Sequence, residues 1–203
     1  AAADFALPAG FTVKNVEVLN VTTNGAIGTA AATSFDVSTL AGLTTANFVA
    51  AGAGTATGSR VLAAGTTDVS LTVSGANTAE VYGGKVVSVT AATGNVTVGV
   101  AAAAATKADA ITSVSVKGGG VVAIDNTGGA AGTTTSTGTT LKTVTLDGIA
   151  GATAAINGAA VDTVTVKNQK TALATTVTNG TSTALAVNVD AAGYDATGAA
   201  VAG

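Results

Sequence analysis

The chain offers eleven Asp and Glu side chains and eight Lys and Arg, but no His and no Cys. That inventory limits the chemistry before any fold is drawn. Ser-His-Asp and Cys-His constellations are impossible. Zinc loses its usual nitrogen and sulfur ligands. Two uses of carboxylates stay open. Paired acids about 5–9.5 Å apart hydrolyse glycosides, yet here the acids stand mostly singly, with no Trp beside them as a sugar platform. Calcium takes six to eight oxygens, largely from loop carboxylates and carbonyls. The best candidates for it are Asp125, ahead of Asn126 and a Gly run, and Asp190 with Asp195 in "DAAGYDATG". Asp and Asn also favour turns by bonding nearby backbone amides, which accounts for most such positions without a metal. The lone Arg60, in "TGSRVLAAG", reads as a solvated turn residue. No residue is assigned a catalytic role, and the expectation is that the chain is not an enzyme.

Some of the charges recur in phrase. "ITSVSVKG" starts at Ile111, "LKTVTLDG" at Leu141 and "VDTVTVKN" at Val161. Each alternates apolar residues with Thr or Ser and then ends in a charge. Aligned on Val114, Val144 and Val164, with "LAVNVD" on Val187, the phrases end in Lys117, Asp147, Lys167 and Asp190. The signs alternate. Equivalent positions on stacked strands lie about 4.8 Å apart, where opposite charges attract and like charges repel. The alignment therefore predicts a charge ladder that sets strand register, and Lys142 with Asp162 repeats the device.

The elements that must carry this ladder are strands. Hydrophobic residues make up 47% of the 203, aromatics only 3% and charged residues 9%; globular domains usually carry about 25% charge. Ala, Val, Thr and Gly dominate. Val and Thr are stiff at χ1 and suit pleated strands. The segments that fit the phrase are anchored at residues 19, 46, 71, 87, 114, 144, 164 and 187, an average spacing of 24. That is the signature of an all-β chain wound as a β-solenoid, a parallel β-helix of about eight irregular coils. Second strands of the coils are expected at 95–100, 121–125, 152–157 and 175–179. Residues 118–120, "GGG", read as a turn. Residues 126–140, Gly- and Thr-rich, read as an extended loop within one solenoid segment over 1–203. The competing architecture is two β-sandwich modules, but small Ala and Val side chains suit a narrow coil better than two aromatic-poor cores.

A net charge of −3 and a pI near 4.6 argue against nucleic acid, which needs clustered Lys and Arg. No run of about 18 apolar residues provides a membrane-spanning helix. Rows formed by Ser113/Ser115, Thr143/Thr145 and Thr163/Thr165 are of the kind that binds ice, but outward Thr is also the ordinary polar choice for a strand.

Two stretches carry a family resemblance. "LPAGFTVKNVEVLNVTT" (7–23) and "SFDVSTLAGLTTANF" (34–48) resemble phrases of proteobacterial surface-layer and RTX-type secreted proteins, with Glu17 and Asn20 in the first and Asp36 through Leu43 in the second. The Ala/Thr/Val/Gly-rich, Cys-free composition resembles them throughout. The resemblance implies type I export, an extracellular cell-surface location, a β-solenoid body, assembly into a layer, and calcium held by a Gly-Gly-x-Gly-x-Asp repeat. The chain departs from that repeat: "KGGGVVAID" (117–125) places its Asp at another spacing, and "TGGAAGTTT" (127–135) has no acid.

The reading is a structural module of a secreted surface-layer or extracellular matrix protein, a segment of a larger protein. Its expected partners are copies of itself or its parent, and cell-surface polysaccharide. The alternatives are an adhesin stalk of the same secretion type and a polysaccharide-active β-helix. The end segments "AAADFALPAG" and "GYDATGAAVAG" lack the polar residues of a cap, so open terminal coils and a chain that continues past at least one end are expected.

Overall fold

Among the described residues, strands alternate between two sheets. The computed structural model describes residues 13–28, 34–52, 58–99, 110–126, 138–169, 171–180 and 184–190. The first sheet holds β1 (Val18–Thr23), β3 (Thr45–Ala50), β5 (Asp68–Val73), β7 (Val86–Ala91), β9 (Ser113–Gly118), β11 (Thr143–Asp147), β13 (Thr163–Lys167) and β15 (Ala186–Asp190), in that order. The second holds β2 (Phe35–Asp36), β4 (Ser59–Ala63), β6 (Ala79–Gly83), β8 (Val96–Val98), β10 (Val122–Asp125), β12 (Thr153–Asn157) and β14 (Ala174–Thr178). Every pairing is parallel. Parallel neighbours two strands apart in sequence define a β-solenoid and rule out the antiparallel sheets of a sandwich. The coil count is lower than the expected eight. Eight strands line one sheet, but β2 is two residues long, so about six turns carry full strands on both sides.

The interior is built by period-2 alternation. In the first sheet one inward column runs Leu19, Ala46, Val69, Val87, Val114, Val144, Val164, Val187. The residue expected at the third place was Leu71; the register puts Val69 there and Leu71 in the next inward column, with Phe48 and Val89. Both residues of "DVSLTV" point inward, and a slip of two keeps every side chain on its face, so pattern alone does not choose. The facing sheet contributes Phe35, Val61, Val81, Val98, Ile124, Ile156 and Val177. The coil is too narrow for many rings, which explains the shortage of aromatics. Phe35 and Phe48 meet edge to face, centroids 5.6 Å apart, near the N-terminal end.

The corners explain why each phrase ends as it does. Gly118, Gly148 and Asn168 follow Lys117, Asp147 and Lys167, and have φ of 70°, 62° and 52°. A left-handed residue turns the chain sharply out of the strand, and Gly and Asn are the residues that adopt it most readily. Gly119, at φ 89°, continues the expected turn at 118–120. Of the expected loop at 126–140, residues 127–137 lie outside the described residues. Asn126 is buried, accepts a hydrogen bond from the Leu141 amide and so ties the two sides of that segment together.

Candidate functional site

The outer surface of the first sheet carries the most regular chemistry. Its central column runs Asn20, Asn47, Ser70, Ser88, Ser115, Thr145, Thr165, Asn188. All eight are uncharged and polar. The Asn47 amide donates to Asn20 Oδ1 at 2.9 Å. One column over, Thr143 Oγ1 donates to Ser113 Oγ at 2.9 Å. The row pairs Ser113/Ser115, Thr143/Thr145 and Thr163/Thr165 are in register. Thr-x-Thr itself occupies only two of the eight strands, since the column turns to Ser and Asn above and below.

The third outer column contains the charges. Lys117 is opposite Asp147, Asp147 opposite Lys167, and Lys167 opposite Asp190. Lys167 Nζ lies 3.8 Å from Asp147 Oδ2, and Asn168 Nδ2 donates to Asp147 Oδ1 at 2.7 Å. Lys142 Nζ lies 3.7 Å from Asp162 Oδ2. Among the described residues, Lys117 and Asp190 make no such close ion pair. Beside this ladder is an open cleft of about 610 Å³, lined in part by Thr90, Lys117, Asp147, Ile149, Asn168 and Thr171. Its floor is braced by Gln169, which is buried, accepts from the Ile149 amide and donates to the Ile149 carbonyl.

Two of the three calcium candidates are described, and they stand on different sheets. Asp125 is on β10 of the second sheet, Asp190 is on β15 of the first, and Asp195 lies outside the described residues. Asp125 Oδ1 is buried with no hydrogen-bond partner, and its register neighbour is Asn157. One carboxylate and one amide fall well short of six oxygens, and no group of three acids gathers among the described residues.

Arg60 is not a solvated turn residue. It lies in β4, opposite Glu80 of β6, on the outer face of the second sheet. Its Nε donates to Glu80 Oε2, which also accepts from the Tyr82 hydroxyl at 2.9 Å. The guanidinium carbon stands 5.2 Å from the Tyr82 ring centroid, within cation–π range. Burial and the hydrogen bond to Glu80 push the Tyr82 phenol well above its usual pKa. For Arg60, burial pulls the pKa down, but the hydrogen bond to Glu80 and the nearby Tyr82 and Glu80 charges leave it raised overall. The alternation in "SRVLA" and "AEVYG" was the available signal, masked by flanking glycines that look like turn punctuation.

No family model matches the chain, and no match is found among curated proteins or solved structures. No helix among the described residues is long and apolar enough to cross a membrane.

Proposed function

We propose that the chain is a non-enzymatic structural module of a secreted surface-layer or extracellular matrix protein. It works by associating with copies of itself or its parent at the cell surface. The observation that carries this reading is the uncharged central column, Asn20 through Asn188, along the first sheet. Such a surface lies against a neighbour without stripping water from ions, which is the costly part of burying polar surface. Its hydroxyls and amides repeat about every 4.8 Å, so a second copy meets the same pattern wherever it lands along the stack. Calcium belongs to this proposal through the surface-layer and RTX resemblance, as a trigger of that assembly. The cleft beside the ladder, with the Lys117 ammonium and the Asn168 amide, favours a second reading in which this shoulder grips a cell-surface polysaccharide.

The test is electron microscopy of the purified chain and its parent, with and without calcium, for sheets or fibres. Ordered assemblies support the proposal. A parent that stays monomeric with calcium, while this chain cleaves a polysaccharide, overturns it.

A further inference from the structure

Four strands of the first sheet carry both of its charge ladders. β9, β11, β13 and β15 bring Lys117, Asp147, Lys167 and Asp190 into one outer column. Lys142 and Asp162 stand at the opposite margin, just before β11 and β13. Every outward residue between the two margins is uncharged, from Ser113 to Asn188. Protein–protein contacts have this layout, with charge depleted at the centre and kept at the rim. Two of the charges are left over. Lys117 and Asp190 hold the two ends of their column, are exposed, and make no close ion pair among the described residues.

We propose that the first sheet packs face to face on the first sheet of a second copy, about a two-fold axis parallel to the strands and midway between β11 and β13. The proposal specifies one contact of the assembly reading and rests on it. Such an axis keeps the strands aligned and reverses the stack. β9 then lies over β15 of the second copy, and β11 over β13. Lys117 faces Asp190, Asp147 faces Lys167, and at the other margin Lys142 faces Asp162. Between them Thr145 faces Thr165 and Ser115 faces Asn188. Every charge meets its opposite, and the two left-over groups find each other. Other placements do worse. An axis on β11 itself sets Lys117 over Lys167, and Asp147 and Lys142 over their own counterparts. An axis between β9 and β11 leaves Lys167 over Thr90 and Lys142 over Thr112. An axis along the stack sets Lys117 over Ser113 and Asp147 over Thr143. The uncharged column alone accepts a neighbour at any height; the charges choose one, which is what rim charges do in recognition. Four strands overlap over about 19 Å of stack and about 16 Å of strand. That patch is smaller than the interface of a standard stable complex, so the contact is weak singly and is read best by trapping.

The chain has no Cys, so a mixture of two single variants, Ser115→Cys and Asn188→Cys, reads this register directly. In the mixed dimer the two thiols stand opposite each other across sheets about 10 Å apart. In a dimer of either variant alone they are also offset by three strand spacings, about 14 Å. A thiol reagent spanning about 10 Å is expected to link the mixture at low salt, to link each variant alone far less, and to lose yield as salt is raised. Lys117→Gln with Asp190→Asn, which breaks no close ion pair within the chain, lowers linking about threefold or more with circular dichroism unchanged. Reversing the column with Lys117→Asp, Asp147→Lys, Lys167→Asp and Asp190→Lys keeps the signs alternating within the stack. Placed on one thiol variant only, the reversal suppresses linking about tenfold; placed on both, it restores linking. No linking in the mixture, equal linking in the single variants, or linking indifferent to the one-sided reversal overturns the proposal. Sheets of the parent that form although the mixture stays unlinked remove this contact and leave the assembly reading standing. A linked dimer with no larger assembly of chain or parent supports this contact and removes the assembly reading.

Discussion

Lys167 and Asp147 sit directly opposite one another on β13 and β11, Nζ to Oδ2 3.8 Å apart, at the outer edge of the first sheet. Both are partly solvated. A double-mutant cycle with Lys167→Met and Asp147→Asn, read by urea denaturation, is expected to give a coupling of at most about 1 kcal/mol. The coupling shrinks as salt is raised. Asp147→Lys costs more than Asp147→Asn, because it sets three ammonium groups, Lys117, the new Lys and Lys167, in one column. Equal costs for the two substitutions would show that the ladder does not discriminate register.

Glu80 is the shared acceptor of Arg60 and Tyr82 on the second sheet. Glu80→Ala leaves a partly buried guanidinium and a buried hydroxyl without their partner. The expected loss is about 1–3 kcal/mol in chemical denaturation. Glu80→Gln keeps an acceptor for one of the two donors and is expected to lose less.

Tyr82 links stability to alkaline pH. Its folded pKa is raised above the ordinary value near 10. The sign follows: above that pH the unfolded phenol ionises while the folded one resists. The contribution is therefore complete below about pH 10 and lost as pH rises through the folded pKa, with a slope of at most about 1.4 kcal/mol per pH unit. The stability difference between the native chain and Tyr82→Phe should stay flat to about pH 10 and then fall. A difference that does not change across this range would show that the phenol titrates normally.

Gly118 and Gly148 hold equivalent corners with similar φ, yet their surroundings differ. A Cβ on Gly118 would stand 2.1 Å from the Ala91 carbonyl oxygen; on Gly148 its nearest atom is the Asn168 carbonyl oxygen at 3.6 Å. Gly148→Ala meets only the left-handed backbone cost, about 1–2 kcal/mol. Gly118→Ala adds a backbone clash and is expected to be clearly worse. Gly148→Asn, copying Asn168, should be tolerated best of the three. Thermal melts of the variants rank them directly.

Much of this fold was legible in the residues. The alternation in "SVSVK", "TVTLD" and "TVTVK" marked β9, β11 and β13, because period 2 is a local property that survives in any sheet. The second-sheet strands β8, β10, β12 and β14 were legible for the same reason. Strands β4 and β6 were not, since Gly58, Gly65 and the charges of Arg60 and Glu80 imitate a loop. The uncharged outer column was only half legible: its Ser and Thr members stood out as rows, while Asn20, Asn47 and Asn188 lay in strand phrases without being joined to the same column.

What the sequence determined by itself was the class of the answer. β-branched residues in alternation, few rings, few charges and frequent Gly specify narrow parallel coils, and the absence of His and Cys removes whole branches of chemistry. What only the tertiary structure decided was which distant residues meet. Arg60 finds Glu80 twenty residues on, while Lys117 and Asp147 share a column across thirty. Those separations are set by how many residues each corner and loop consumes. That count carries no periodic signal, because loop residues answer to turn geometry and not to a shared core.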